Sequence, residues 1–270
     1  MRDSAQLGER LRHWRAVRGR TQGALADAAG ISARHMSFIE TGRSRPSRSV
    51  LLRLADALEV PLREQNALLE AAGLSREFRE TPLDAPGMAH TQRMLALLLE
   101  RTEPYPAVVV DPAFNVLMAN RAQIRLHARC LRQPPLPSLE RPNLVRAFFD
   151  ADGLKPAVLN WEEAAAVLWR RLQRELAERP THPGLVLLLE ELSRRADVRR
   201  LDVVAPTEPS GPWVPLSLRL VTGETIRLVT LIASFGTAID VALEELRLES
   251  FLPADEPSAA LLRTLAESGD

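Results

Sequence analysis

Residues 21–47 read TQGALADAAGISARHMSFIETGRSRPS, and this stretch decides the fold of the N-terminal part of the chain. Thr21 precedes a run with apolar residues on one helical face, which is the position of an N-cap residue. Gly30 follows that run, and a turn at this point needs the positive φ that glycine adopts at little cost. Ser32 is placed to cap a second short helix that ends at Gly42. We therefore predict two short helices joined by a tight glycine turn.

The second of these helices is followed directly by a basic loop. Arg43 and Arg45 lie on either side of Ser44, and Pro46 and Ser47 open the next helix. A helix, a glycine turn, a second helix and a basic exit are typical of a helix-turn-helix, whose second helix enters the major groove of DNA. This pattern is our first indication of a DNA partner.

Three further helices surround this pair in the N-terminal part of the chain. Apolar residues recur at helical spacing over residues 4–18, 48–58 and 61–73, with Pro61 at the start of the last segment. Five short helices in about 70 residues, each with one apolar stripe, predict a compact all-α domain over residues 1–73.

These residues carry a family resemblance. The segment from LGERLRHWRAVRGR through IETGRSRPS to LADALEVP resembles the XRE-family, or lambda-repressor-like, DNA-binding domain over nearly all of residues 5–73. The resemblance implies that one set of side chains contacts a double-stranded operator: Gln22, Ser32, Ala33, Arg34, Ser37, Phe38, Arg43, Arg45 and Ser47. It implies phosphate contacts for Gln22 and the loop residues, and base contacts for the residues of the second helix.

The distribution of charge supports this interpretation. The net charge of the whole chain is zero, but residues 1–79 carry 14 arginines and 9 acidic residues, a net charge of +5. The remainder carries 21 basic and 26 acidic residues, a net charge of −5. A small basic domain joined to a larger acidic one is typical of a DNA-binding domain attached to a sensing or pairing domain.

The remainder of the chain predicts an α+β domain. Residues 74–88 contain two prolines and a glycine, and we interpret them as a linker before a domain over residues 89–270. Strands are predicted around residues 105–110, 114–118, 213–220 and 226–235, with a possible strand within 241–251. Helices are predicted over residues 89–101, 143–150, 161–178, 183–196 and 258–266. Thr222-Gly223-Glu224 is typical of a hairpin turn, so the sheet is expected to be antiparallel.

This second domain also resembles a known family. The segments PAVVVDPAFNVLMANRA, RPNLVRAFFD, NWEEAAAVLWRRL and LEELSRRADV, with the terminal hairpin, are similar to the MmyB-like ligand-binding domain, which has a PAS-like fold. The resemblance implies a pocket for a small, largely apolar molecule, with fatty acids as the leading candidates, and no other cofactor.

Five residues are candidate ligand contacts in that domain. Arg121, Asn143 and Arg146 are polar residues beside apolar segments, as binding of an anionic headgroup requires. Trp161 and Trp213 are large enough to line a pocket. The alternatives are an ordinary core position for the tryptophans and an exposed surface position for the arginines.

The sequence gives little support for enzymatic, metal-binding or membrane functions. Cys130 is the only cysteine, and the five histidines form neither an HExxH motif nor a pair at i, i+4. Nucleophile elbows, Walker loops and dinucleotide fingerprints are absent from the sequence. The N-terminus has no apolar region typical of a signal peptide, and no apolar run approaches the length of a membrane span. We therefore expect a cytoplasmic protein with no catalytic and no metal site.

Together these observations predict a ligand-responsive, sequence-specific transcriptional regulator. Because one small domain contacts few bases, we expect a homodimer with two DNA-binding domains one helical turn apart. One alternative is a repressor or antitoxin whose C-terminal half only mediates protein–protein interaction, which a solid core without a cavity would favour. Another alternative is an enzyme carrying a DNA-targeting domain, which a cleft with converging titratable groups would favour.

Overall fold

A computed structural model describes residues 2–131, 141–201 and 214–267 of the chain. Its contacts divide the chain into two units. The first, here called the helical unit, comprises Met1–Glu80 with Ala177–His182 and Ala238–Glu244. The second, here called the sheet unit, comprises Thr81–Leu176, Pro183–Thr237 and Glu245–Asp270.

The N-terminal part of the helical unit is built from five helices, as predicted. They are α1 (Arg2–Val17), α2 (Gln22–Ala28), α3 (Ala33–Glu40), α4 (Arg48–Ala57) and α5 (Leu62–Ala71). Thr21 Oγ1 accepts a hydrogen bond from the Ala24 amide at 3.2 Å, which confirms Thr21 as the N-cap of α2. Gly30 has a φ of 65°, so the predicted turn between α2 and α3 is also confirmed. Pro61 is the N-cap of α5 and so lies one residue before N1, the first helical position, where a proline at a helix start is expected.

Apolar stripes from all five helices meet in one core. Its members include Leu11, Trp14, Leu25, Met36, Ile39, Leu54 and Leu69, each at most 1% exposed. Burial of several large side chains at about 1.5–3 kcal/mol each supplies the main stabilisation of so small a unit. Trp14 is therefore a core residue.

Helices α1 and α3 approach each other closely at one glycine. A Cβ atom on Gly8 of α1 would lie 2.1 Å from the backbone oxygen of Glu40, the last residue of α3. Only glycine fits at this contact, because the obstructing atom belongs to the backbone and cannot rotate away.

The first part of the predicted linker is held against the helical unit. Asn66 of α5 is 6% exposed, and its Oδ1 accepts hydrogen bonds from the amides of Glu77 and Phe78 at 3.0 and 3.1 Å. Its Nδ2 donates to the Phe78 carbonyl at 2.8 Å. The contact-defined unit consequently extends to Glu80. The division into a domain over residues 1–73, a linker over 74–88 and a domain over 89–270 stays a prediction.

The remaining elements form an α+β arrangement. The strands are β1 (Ala107–Val110), β2 (Val116–Ala119), β3 (Leu216–Arg219), β4 (Thr225–Ser234) and β5 (Arg247–Pro253). The helices are α6 (Ala89–Thr102), α7 (Arg121–Cys130), α8 (Leu144–Phe149), α9 (Trp161–Glu178), α10 (Pro183–Ser193), α11 (Ala196–Leu201), α12 (Val241–Glu245) and α13 (Glu256–Glu267). The possible strand within residues 241–251 is in fact helix α12 followed by β5.

The five strands pair in the order β2-β1-β5-β4-β3, and every pair is antiparallel. Gly223, with a φ of 102°, lies in the turn between β3 and β4, which confirms the predicted hairpin. All four residues of β1 are buried, as expected for a strand with neighbours on both edges. The predicted combination of a five-helix domain with a PAS-like α+β domain is thus confirmed.

Candidate DNA-reading surface and ligand cavity

The N-terminal end of α3 presents several predicted DNA contacts. Ser32 Oγ accepts a hydrogen bond from the His35 amide at 3.1 Å and so fixes the start of the helix. Ala33 and Arg34 are exposed, whereas Ser37 and Phe38 are half-buried. The Arg34 guanidinium carbon lies 5.3 Å from the centre of the Phe38 ring, a cation–π contact between residues four apart. The structure therefore brings these side chains together at the beginning and along one side of α3.

Gln22 begins α2 and contacts a buried carboxylate. Its Nε2 donates to Glu40 Oε2 at 2.6 Å, and Arg15 Nε donates to Glu40 Oε1 at 2.8 Å. The hydrogen bond from Arg15 to Glu40 raises the pKa of the arginine further above its usual value. Glu40, which is 2% exposed, thereby connects α1, α2 and α3. The sequence interpretation did not include this connection, because it depends on residues 25 positions apart.

The loop after α3 carries the remaining predicted contacts. Arg43 and Arg45 are exposed, and Pro46 between Arg45 and Ser47 is buried. Ser47 is the N-cap of α4, since its Oγ accepts from the Val50 amide at 3.4 Å. The buried proline and the cap hold the loop to the helical unit while both arginines point to solvent.

A cavity of about 390 Å³ lies within the sheet unit. Two helices supply side chains at helical spacing to its wall: Gln123, Leu126, His127 and Cys130 of α7, and Ala164, Val167, Leu168 and Arg171 of α9. Asn120 fixes the start of α7, because its Oδ1 accepts from the Gln123 amide at 2.9 Å and from the Ala107 amide of β1 at 3.0 Å. The buried Asn120 thereby orients the cavity-lining face of α7 relative to the sheet.

The sheet supplies the opposite wall of the cavity. Thr230 pairs with Phe251, and Ile232 pairs with Glu249, so these four residues of β4 and β5 share one face of the sheet. Most of the remaining wall is apolar: Phe114, Leu144, Val145, Phe148, Leu154, Val158, Val214, Leu216, Leu218, Leu228 and Val229. A mostly apolar cavity with a few polar groups is typical of a small-molecule site, and its volume lies within the range of about 300–1,000 Å³ for such sites.

The ionisable groups in the wall are paired or uncharged. Arg171 Nη2 lies 2.5 Å from Glu249 Oε1, and the two side chains are 18% and 5% exposed. Burial lowers the pKa of His127, which favours the neutral imidazole at pH 7. Burial raises the pKa of the Cys130 thiol to about 12, so the thiol stays protonated.

Of the predicted ligand contacts that lie within the described residues, none is in this wall, because each has another structural role or position. Asn143 caps α8, accepting from the Arg146 amide at 3.0 Å and donating to the Ala113 carbonyl at 2.7 Å. Arg146 pairs at the surface with Glu191 at 2.9 Å. Arg121 is the exposed first residue of α7.

Trp161 was predicted to line the pocket, but it packs behind a residue of the cavity wall. Its ring stacks on Phe148 with ring centres 6.4 Å apart, and the Lys155 Nζ lies 3.8 Å from the ring centre. The indole Nε1 donates to the Phe148 carbonyl at 3.3 Å. Trp161 thus supports Phe148, which lines the cavity, from outside. Trp213 lies outside the described residues.

The residues that do line the cavity carry a signal in the sequence. Gln123, His127 and Cys130 recur at intervals of four and three on α7, and Ala164, Leu168 and Arg171 do so on α9. This periodicity indicates that the residues share one face of the helix. It does not indicate whether that face packs on a solid core or lines a cavity. Glu249 gives no such signal, because its partner Arg171 lies 78 residues away.

Comparison with known families identifies both parts of the chain. Residues 91–265 match the model of the MmyB-like transcription regulator ligand binding domain. The chain belongs to this family. Residues 6–69 match a helix-turn-helix domain model, and a comparison with curated proteins gave no significant match. This MmyB-like protein is accordingly a DNA-binding transcription regulator with a ligand-binding domain.

The described residues of the MmyB-like regulator contain neither a metal-binding cluster nor a membrane-spanning helix. In the ranges 2–131, 141–201 and 214–267, no three His, Cys, Asp or Glu side chains are grouped so that they could hold a metal ion. No helix in the described part of the chain has the length and apolar character needed to cross a membrane. Both matching families are regulatory or ligand-binding families and not enzyme families.

Proposed function

We propose that the protein reads a specific operator with the surface formed by α3 and the following loop. The exposed Arg34 is placed to donate two hydrogen bonds to a guanine, while Arg43 and Arg45 contact phosphates. Ala33 and Phe38 are suited to contact thymine methyl groups. This proposal is supported by the helix-turn-helix match, by the contact of Arg34 with Phe38 and by the exposure of Arg34, Arg43 and Arg45.

The other predicted contacts have supporting roles in this proposal. Ser32 and Ser47 lie at helix N-termini, where backbone amides favour a phosphate group. Ser37 lies on α3 next to Phe38. Gln22 Nε2 donates one hydrogen bond to Glu40. We propose that the second hydrogen of this amide nitrogen is donated to a phosphate.

We further propose that a small, largely apolar molecule in the cavity controls DNA binding. The cavity of about 390 Å³, in a domain of a ligand-binding family, is the observation that carries this proposal. Fatty acids are the leading candidates, since an alkyl chain complements the apolar wall. The cavity favours sensing over the alternative in which the domain only mediates protein–protein interaction.

In this proposal the regulator is a cytoplasmic homodimer. Two DNA-binding domains double the contacted base pairs, which raises affinity and specificity together. Ligand binding changes the spacing of the two domains through residues 74–88. For this coupling, the ligand must bind one spacing more tightly than the other.

The proposal is tested on full-length protein purified from cells. Native mass spectrometry should show a dimer with an added small-molecule mass in each chain. Operator affinity, measured on a sequence selected from random DNA, should change by roughly 5- to 150-fold after the molecule is stripped on a hydrophobic resin. Repeated absence of any bound molecule, or an affinity unchanged by stripping, would contradict ligand control and leave operator binding as a separate result.

A further inference from the structure

The guanidinium of Arg48 is bound by the segment that follows α5. Arg48 is the first residue of α4, and its side chain is 34% exposed. Its Nη1 donates to Glu77 Oε2 at 2.5 Å, and its Nη2 donates to the carbonyl and hydroxyl oxygens of Ser75 at 2.9 and 2.7 Å. One carboxylate, one carbonyl and one hydroxyl therefore occupy two nitrogens of this guanidinium.

This segment is held in place from the interior of the helical unit. The buried Asn66 accepts hydrogen bonds from the amides of Glu77 and Phe78 and donates to the Phe78 carbonyl. Ser75 and Glu77 themselves are exposed. Glu77 thus has a fixed backbone beside Arg48, but its ion pair lies in water. Because an exposed ion pair contributes little free energy, an anion from solution can replace the carboxylate.

Arg48 adjoins the residues that we propose to contact the DNA backbone. It directly follows Ser47, the N-cap of α4, and lies three residues after the exposed Arg45. Free amides at the start of a helix favour a phosphate, and a guanidinium binds phosphate through parallel N–H donors. Arg48 is therefore suited to bind a phosphate at the start of α4, with the same donors that now contact Glu77 and Ser75.

We propose that Arg48 is a further phosphate-binding residue and that Glu77 competes with DNA for it. The competition weakens binding to every sequence alike, because phosphate contacts carry no sequence information. Glu77 lies in the segment 74–88 that carries the proposed ligand signal, so release of Glu77 from Arg48 raises DNA affinity. This inference rests on the proposed DNA binding and adds an autoinhibitory contact to it.

Glu77→Gln tests the competition in the full-length protein. Glutamine keeps the size of the side chain but removes the charge that competes with phosphate and repels it. Fluorescence anisotropy should show roughly three- to tenfold tighter binding to operator and to random DNA alike. Unchanged or weaker binding by a variant with an ordinary unfolding transition would overturn the competition.

Glu70→Gln is the matched control for the loss of one negative charge. Glu70 forms an exposed pair with Arg76, seven residues before Glu77. Because salt screens exposed charges beyond about 8–10 Å, its affinity should change by less than roughly twofold. A gain equal to that of Glu77→Gln would indicate a general effect of net charge and would contradict a specific role for Glu77.

Arg48→Ala shows whether the gain depends on this arginine. In the Glu77→Gln background it should weaken binding to both DNAs roughly tenfold and make the slope of log affinity against log salt shallower by about 0.9. In the original background the loss should be smaller, since Glu77 already occupies the guanidinium. A gain from Glu77→Gln that persists in Arg48→Ala would contradict the competition.

Arg48→Lys separates phosphate binding from a structural role at the start of α4. Lysine keeps the charge, so in the Glu77→Gln background the salt slope should stay that of arginine. A slope as shallow as that of Arg48→Ala would assign Arg48 a structural role only. If the folded protein binds neither DNA, the proposed operator binding fails together with this inference. Binding that neither substitution changes contradicts this inference alone.

Discussion

The helical unit and the sheet unit use charge in opposite ways. In the helical unit, Arg34 is exposed at the start of α3, and Arg43 and Arg45 are exposed in the loop that follows it. In the sheet unit, Arg171 is turned inward and paired with a buried glutamate beside a cavity. Exposed arginines can bind DNA phosphates and release the counterions of the DNA. A mostly apolar cavity wall with paired charges is suited to an apolar molecule.

This difference shows how one chain with no net charge accommodates two kinds of partner. The net charge of +5 on residues 1–79 favours the approach of DNA at long range. The remainder carries a net charge of −5, but Arg171 and Glu249 in the wall of the cavity are paired with each other. Four measurements can break or sharpen this contrast.

The largest expected effect concerns the dryness of the cavity. Because burial raises the Cys130 pKa from 9.0 to about 12, the thiolate fraction at pH 8 falls by about a thousandfold. Alkylation by iodoacetamide, followed by mass spectrometry, should be slower by roughly that factor in native protein than in urea-unfolded protein. Cys130 is the only thiol, so the signal is unambiguous. Native and unfolded rates within tenfold of each other would show a wet cavity.

The next effect concerns the exposed arginines. Replacing Arg43 and Arg45 together with alanine should weaken binding roughly a hundredfold on operator and random DNA alike, since phosphate contacts carry no sequence information. The slope of log affinity against log salt should become shallower by about 1.8. The control is Arg76→Ala. Arg76 is an exposed residue after the end of α5 and is paired with Glu70. A salt slope equal to that of the control would contradict phosphate contact by the loop.

Arg34→Ala should have a smaller and more selective effect. Loss of a bidentate contact to guanine costs about 1–3 kcal/mol at one base pair and little on random DNA. Binding to operators altered one position at a time measures this loss, and Arg34→Lys controls for the charge. Identical losses on operator and random DNA would show that Arg34 does not read a base.

The smallest effect is the pH dependence contributed by His127. Its pKa is lowered in the folded protein, so its contribution to stability is complete above the usual value of about 6.5 and is lost as the pH falls through the folded value. The thermal midpoint should therefore fall less in His127→Gln than in the original protein between pH 7.5 and pH 5.5. Equal falls would indicate that water reaches this imidazole.

Local sequence signals predicted the helical unit well. Thr21, Gly30, Ser32 and Ser47 occupy caps or turns where the sequence placed them, because each acts on backbone groups within a few residues. The hairpin at Gly223 was predictable for the same reason. Helix α12 was missed, since its five residues are too short for a clear helical period.

The cavity was not predictable residue by residue. Asn143 and Arg146 looked available beside apolar segments, but one caps α8 and the other pairs at the surface. Gln123 of α7 and Glu249 of β5 line one cavity although they are far apart in the sequence, and local patterns do not indicate such a meeting. A helical period shows that a face is shared and cannot show whether that face covers a solid core or a space.

Gly8 gives the DNA-binding helix a property useful for redesign. Because α1 meets α3 backbone to backbone at Glu40, the angle of α3 is fixed by main-chain atoms and by the bonds of Arg15 and Gln22 to Glu40. The side chains at positions 33, 34, 37 and 38, which we propose to contact bases, take no part in that contact. Substitutions at these positions should therefore change the operator preference while the packing of α3 against α1 stays the same.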